Sequence, residues 1–313
     1  RTDGAMARAT ELTRGKLGNI GQQVAAARCG RPVSVVYAAA ASELRSLAGL
    51  RAARLVATPI VGVFHWAPTS RLARGWPLQG FDRVIVLCEH TRRSMVQAGV
   101  APERITSLGW GADLDFAGFA PRGPAAADAP VVATGKTQRD MRTLIAALRA
   151  TGLPAHIYGD RDELARRAGP IPAHVTVRPV SRDEPGTPLR YDAAVMADLR
   201  SAAVVAIPLP STDRLAGLTE VVDALACARP MILTRSPYFD FDIEQIGCGW
   251  WVEPGDVRGW SERLTAAMAD RGRLDEMGCA GRAWAGEHLN ERLFTEGLRR
   301  VLLGVAADGL SAG

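Results

Sequence analysis

Two segments carry residue types whose spacing suits the chemistry of holding an anion. The first is Gly135-Lys136-Thr137-Gln138-Arg139-Asp140, which follows the apolar run 131–134 and precedes a helical pattern. A strand-to-helix turn aims free backbone N–H groups and the positive end of a helix dipole at whatever sits there, and two cations join them. A phosphate fits that environment; the same residues also suit a solvated polar loop in which Asp140 caps the helix. The second segment runs from Ser211 through Gly217-Leu218-Thr219 to Asp223 and Ala226. Gly217 allows close backbone approach, Leu218 and Thr219 open a helix whose first N–H groups are unpaired, and Asp223 lies one turn further in. A carboxylate there accepts hydrogen bonds from ribose hydroxyls or stands as a solvated helix-surface acid.

Other candidates are single residues. His65 follows the strand-like run 60–64 with Trp66 beside it, and is either a polar cap or a group that orients and deprotonates a hydroxyl. His90, His156, His174 and His288 are dispersed without zinc-site spacing. Asp240, Asp242 and Glu244 form an acidic cluster, which reads more simply as helix-capping and dipole partners than as a cation site. No metal is expected. Five cysteines, at 29, 88, 227, 248 and 279, are widely spaced and mostly set in apolar sequence, as expected of reduced core thiols in a cytoplasmic protein.

The elements that position these residues alternate regularly. Strands are expected at 131–135, 156–158, 175–177, 204–208, 231–234 and 250–252, with helices at 140–150, 162–168, 189–201, 218–228 and from 243 between them. Short apolar runs interleaved with helices predict a parallel, doubly wound α/β sheet. Helical sequence follows from 257 to about 304, punctuated near Gly278–Gly281, and the small polar tail 306–313 is expected to fray. The first third is of the same class but short of a full unit: helix 5–28, strand 33–37, helix 42–48, strands 60–64 and 84–88, helix 92–98 and strand 105–108. Residues 1–118 therefore read as an incomplete first domain, 119–130 as a Pro/Gly/Ala-rich linker, 131–285 as the second domain and 286–313 as a terminal helix and tail.

The 313-residue length suits two domains, and 47% hydrophobic with 23% charged residues excludes a disordered or fibrous chain. The apolar stretches 55–64 and 202–210 fall short of the roughly 20 residues that span a bilayer. Peripheral membrane contact is not indicated. The net charge of +5 comes from scattered residues, arginine at all but Lys16 and Lys136, and favours anionic partners only weakly, with no block of the kind that grips nucleic acid.

Taken together, 131–136, Asp223-Ala224-Leu225-Ala226-Cys227-Ala228-Arg229-Pro230-Met231-Ile232 and Gly247-Cys248-Gly249-Trp250-Trp251-Val252-Glu253-Pro254-Gly255-Asp256 resemble the nucleotide-sugar domain of glycosyltransferase family 4. Trp110-Gly111-Ala112-Asp113 resembles that family's Gly-Val-Asp loop. The resemblance implies the GT-B fold, two facing Rossmann-like domains, with a retaining, metal-independent transfer of sugar from a UDP- or GDP-sugar to an acceptor such as a glycan, lipid-linked glycan or small molecule, as in cell-surface polysaccharide or glycoconjugate synthesis. By the same resemblance Lys136 and Arg139 neutralise the donor diphosphate, Gly135, Gly217, Leu218 and Thr219 hold it through the backbone, and Asp223 binds the ribose. Tyr158-Gly159-Asp160 and Arg178-Pro179-Val180 flank the base, and His65 orients the acceptor hydroxyl. The sequence departs from the family where Leu215 stands for the first of its paired glutamates, Asp213 being the first substitute to consider and Glu220 the next, and where Ala228 replaces a glycine. A nucleotide-sugar epimerase of the same architecture and a non-catalytic sugar- or partner-binding relic are the rival readings.

Overall fold

The computed structural model describes residues 18–28, 33–68, 76–121, 123–135, 138–179 and 193–311. Contacts divide the chain into two compact units, Trp110–Leu293 and, formed by both ends of the chain, Arg1–Gly109 with Phe294–Gly313.

The first unit contains α1 (Ile20–Arg28), β1 (Val36–Ala38), a 3-10 turn (Ala41–Leu44), α2 (Arg45–Ala52), β2 (Ile60–Phe64), α3 (Trp76–Gln79), β3 (Arg83–Val86), α4 (Glu89–Gln97) and β4 (Ile105–Ser107). Its described strands form a parallel four-stranded sheet in sequence order. All five residues of β2 are buried, as expected of a strand covered on both faces. Helix α4 begins at Glu89, three residues before the periodicity suggests, so His90 lies in its first turn.

The second unit contains β5 (Val131–Ala133), α5 (Met141–Thr151), β6 (Ala155–Tyr158), α6 (Arg161–Ala168), β7 (Val175–Arg178), α7 (Ala193–Ser201), β8 (Val204–Ile207), α8 (Leu218–Ala226), β9 (Met231–Thr234), α9 (Ile243–Ile246), β10 (Gly249–Val252), α10 (Val257–Ala269) and α11 (Arg271–His288). Its sheet is parallel throughout with order β10-β9-β8-β5-β6-β7. The chain winds outward from β5 through β6 and β7, then returns to β8 on the other side. The strand order therefore reverses between β5 and β8, the position at which open α/β sheets take their ligands.

Each face of this sheet has its own core. Val131, Ala133, Ile157 and Val175 pack beneath α5 and α10, whereas Val132, Val205, Ile207 and Leu233 pack beneath α7, α8 and α11. Helix α5 buries Met141, Leu144, Ile145 and Leu148 and is capped by Asp140, whose carboxylate accepts from the Thr143 N–H at 3.1 Å. Asp160, Asp242, Asp256 and Asp270 cap α6, α9, α10 and α11 in the same way.

Two sequence expectations are corrected. The helical region after 257 does not break near Gly278–Gly281; α11 runs through both glycines. A side chain at Gly278 would strike the Ala228 carbonyl and one at Gly281 would meet Cys248 and Leu225, so these positions serve close packing. The breaks fall instead at Asp270 and Asn290, each of which caps the next helix. Residues 306–311 of the tail do not fray: they continue α12 (Glu291–Ser311), whose Ala and Leu are good helix formers. The described residues of 119–130 are tied down at several points. Phe119 is buried, Arg229 donates to the Gly123 carbonyl at 2.7 Å, and Asp275 accepts from the Ala125 N–H at 3.1 Å. Among the described residues no helix is long and apolar enough to cross a membrane.

Candidate functional site

At the reversal between β5 and β8 two loops hold each other. The Asp140 N–H donates to the Pro208 carbonyl at 2.9 Å, the Thr212 hydroxyl donates to Gln138 Oε1 at 3.1 Å, and the Leu209 N–H donates to Thr234 Oγ1 at 2.9 Å. Gln138 itself sits in the left-handed region at φ +56°. These bonds fix the carboxyl ends of three adjacent strands, β5, β8 and β9, as one rim.

Arg139 lies at the centre of this rim, with its guanidinium paired to the Glu220 carboxylate from the first turn of α8. The two side chains are 8% and 11% exposed, so the pair is nearly sheathed in protein. Gly135 is buried directly against it, and a Cβ there would strike both the guanidinium and the carboxylate. The glycine is therefore required for the loop to pass over the pair. Lys136 and Thr137 lie outside the described residues.

Gly217 caps α8 at φ +83°, Leu218 is half-buried and Thr219 is exposed, so the start of α8 is open to a ligand at the same rim. Asp223 is buried, 6% exposed, rather than a solvated surface acid, and its charge helps push the neighbouring Cys227 thiol up to about 12, chiefly through burial. Asp213 is exposed and lies 3.6 Å from the Arg214 guanidinium. Leu215, two residues further along the same loop, is half-buried and apolar.

At the other flank, Tyr158 ends β6 and is buried. Its hydroxyl donates to Asp198 Oδ2 at 2.8 Å, and the same carboxylate oxygen lies 3.1 Å from His156 Nδ1 and 3.0 Å from Arg178 Nε. The Gly159 N–H donates to the Arg178 carbonyl at 2.9 Å, locking the ends of β6 and β7 together. Val180 lies outside the described residues.

Sequence reasoning missed Asp198 as the hub beneath Tyr158, His156 and Arg178, and it weighed Glu220 only as a second substitute for the first glutamate, not as the partner of Arg139. Asp198 left a faint signal, an acid between Val195 and Leu199 on the apolar side of α7, facing alternate polar positions of a strand. The pairing of Glu220 left none, because its partner lies 81 positions earlier and meets it only through the sheet order.

His65 belongs to the first unit. It leaves the end of β2, its ring centroid 6.1 Å from that of Trp66, and it lines a pocket of about 50 Å³ with Ser42, Arg45, Leu78 and Phe81. Burial lowers its pKa from 6.5, which keeps the imidazole neutral at physiological pH. Ala112 of the Trp110–Asp113 loop is stitched to 289–291 in the second unit, its N–H donating to the Leu289 carbonyl at 2.8 Å and its carbonyl accepting from Glu291 at 3.0 Å. Asp242 is a helix cap that also accepts from Trp251 Nε1 at 2.9 Å. Among the described residues no three metal-ligating side chains gather.

No protein-family model matches the sequence, and no curated protein matches it. Solved structures do. HepE from Anabaena in complex with UDP matches with a TM-score of 0.66 at 14% identity, over 86% of this chain and 78% of that one. Sucrose-phosphate synthase from Thermosynechococcus elongatus matches at 0.69 and 14%, over 88% and 74%. A glycosyltransferase from Rickettsia africae matches at 0.63 and 11%, over 87% and 76%. The two parallel-sheet units are thus the GT-B fold of these proteins.

Proposed function

We propose that this chain is a glycosyltransferase that moves a sugar from a nucleotide-diphosphate sugar to an acceptor hydroxyl, with the donor held in the second unit. The observation that carries the reading is the rim at the strand-order reversal. There the buried Arg139 guanidinium and the open start of α8 lie together, at the position where α/β sheets bind nucleotides. A UDP-sugar is the donor favoured by likeness, since structures of HepE hold UDP and UDP-glucose.

In this reading the start of α8, Arg139 and Lys136 hold the diphosphate, Asp223 serves the ribose, and Tyr158, Gly159 and Val180 border the base. The bond from the anomeric carbon to the diphosphate oxygen breaks, its electron pair staying on the diphosphate. The acceptor oxygen bonds the same carbon with retention, and its proton passes to the departing phosphate oxygen. Positive charge at the rim stabilises that developing anion. Such a reaction runs without a metal, because the cations do the neutralising. Neutral His65, with its lowered pKa, is assigned to the acceptor, where it accepts a hydrogen bond from the hydroxyl. Asp213 is assigned to the donor sugar, and the protein to the cytoplasm.

The test is release of UDP or GDP from a panel of nucleotide sugars, with and without a glycan acceptor pool. Acceptor-dependent release supports transfer. Conversion of the donor to its epimer without acceptor identifies an epimerase, and a chain that binds but never turns over identifies a non-catalytic protein.

A further inference from the structure

A second concave site lies in the second unit, outside the loops assigned to the donor. It is a groove of about 610 Å³ lined by Phe239, Asp240, Phe241, Asp242, Gln245 and Trp284, with Ile246 at its base. One wall is aromatic: the Phe239 and Phe241 rings lie 5.6 Å apart, and Phe241 and Trp284 5.3 Å apart. These rings are half-buried, packing one face on the core while lining open space with the other. Apart from Ile246, the rest of the lining is polar. Asp240 and Gln245 are exposed, and Asp242, though it caps α9 and holds Trp251, retains acceptor capacity because a carboxylate offers about four lone-pair sites.

Aromatic rings interleaved with carboxylate and amide groups match a pyranose, which presents C–H bonds on its faces and hydroxyl donors around its edge. The volume suits one or two such rings. The lining carries carboxylates and no cation, so charge selects against uronic, sulfated or phosphorylated sugars. The loop 235–242 leaves the carboxyl end of β9, next to β8, whose own loop carries Thr212 and Gly217. We infer that this groove binds a neutral pyranose of a glycan acceptor. The binding claim stands on the groove itself; its role as acceptor subsite rests on the proposed transferase activity.

The test is NMR of the full chain with 15N-labelled tryptophan. Maltose, cellobiose, lactose and mannobiose are titrated to millimolar concentration, with glucuronic acid and glucosamine as charged controls. The Trp284 indole signal is identified by its loss in Trp284→Leu. At least one neutral disaccharide is expected to shift that signal saturably, and Asp240→Asn, a surface change, to weaken the effect about tenfold, the loss of one hydrogen bond to a charged acceptor. If Trp284→Leu does not fold, Asp240→Asn and the wild type decide the matter through the indole signal that responds. UDP is titrated in parallel. UDP binding with no response to any neutral sugar overturns the groove assignment and leaves the transferase reading standing. Sugar binding without nucleotide binding does the reverse. A response to glucosamine alone, which aromatic rings and carboxylates also favour as an ammonium cage, overturns the neutral-sugar assignment.

Discussion

The Arg139–Glu220 pair separates what stabilises the protein from what binds its ligand, because the carboxylate offsets in the empty protein the charge that a diphosphate would offset in the loaded one. Glu220→Gln leaves a guanidinium that is 8% exposed facing a neutral amide. Breaking a buried pair from one side costs about 3 kcal/mol. At about 2–4 °C per kcal/mol for a unit of this size, the empty variant is expected to melt roughly 6–12 °C below the wild type. Added nucleoside diphosphate restores the missing negative charge. The rise in Tm on adding saturating UDP is therefore expected to be larger in Glu220→Gln than in the wild type. In Arg139→Ala it should be smaller, the lost charge-assisted hydrogen bond weakening binding by about 1.5–3 kcal/mol. Differential scanning fluorimetry of the three proteins, with calorimetry for Kd, gives both quantities. Equal ligand-induced shifts in all three would refute the reasoning and leave the pair as a packing device.

Three further outcomes are expected. Asp223→Asn should weaken free nucleotide and intact donor alike, whereas Asp213→Asn should leave free nucleotide binding unchanged and lower donor turnover, as read by calorimetry beside kinetics; full activity of Asp213→Asn removes that residue from the site. His65 has its pKa lowered from 6.5 by burial, so the unfolded chain takes up its proton first as pH falls. The stability this group contributes is full above about pH 6.5 and is lost as pH drops toward its folded pKa, so the fall in Tm between pH 7 and pH 5 should be smaller in His65→Gln. The Cys227 and Cys248 thiols, pushed up to about 12 chiefly by burial, should resist alkylation at pH 8, while the exposed Cys279 reacts; mass spectrometry of the native protein reads the sites, and modification of Cys227 before Cys279 would contradict the burial.

The parts of the fold that follow from local pattern were legible in the chain. Strands such as Ile60–Phe64 and Met231–Thr234 are continuous apolar runs, and helices such as Met141–Thr151 carry a capping acid and a one-sided apolar face. Glycine misled where its role was tertiary. Gly278 and Gly281 read as a break because their reason for being small, the closeness of α8 and its turn, is absent from their own segment. The loops of the site were legible through Gly135, Arg139 and Gly217, since turn chemistry is local. The partners that set their electrostatics were not, because Glu220 and Asp198 acquire their roles only when the sheet order brings distant strands side by side. The burial of Asp223 was hidden for the same reason: from its own helix it reads equally as surface or crevice.

The central claim is that a donor diphosphate sits at the reversal between β5 and β8. The most direct measurement is a crystal structure of the chain with UDP, grown in EDTA. The diphosphate is expected within hydrogen-bond distance of the Arg139 guanidinium and of backbone N–H groups at Leu218 and Thr219, with no cation bridging it. UDP bound elsewhere, or bound at that rim only through an added divalent metal, would contradict the account.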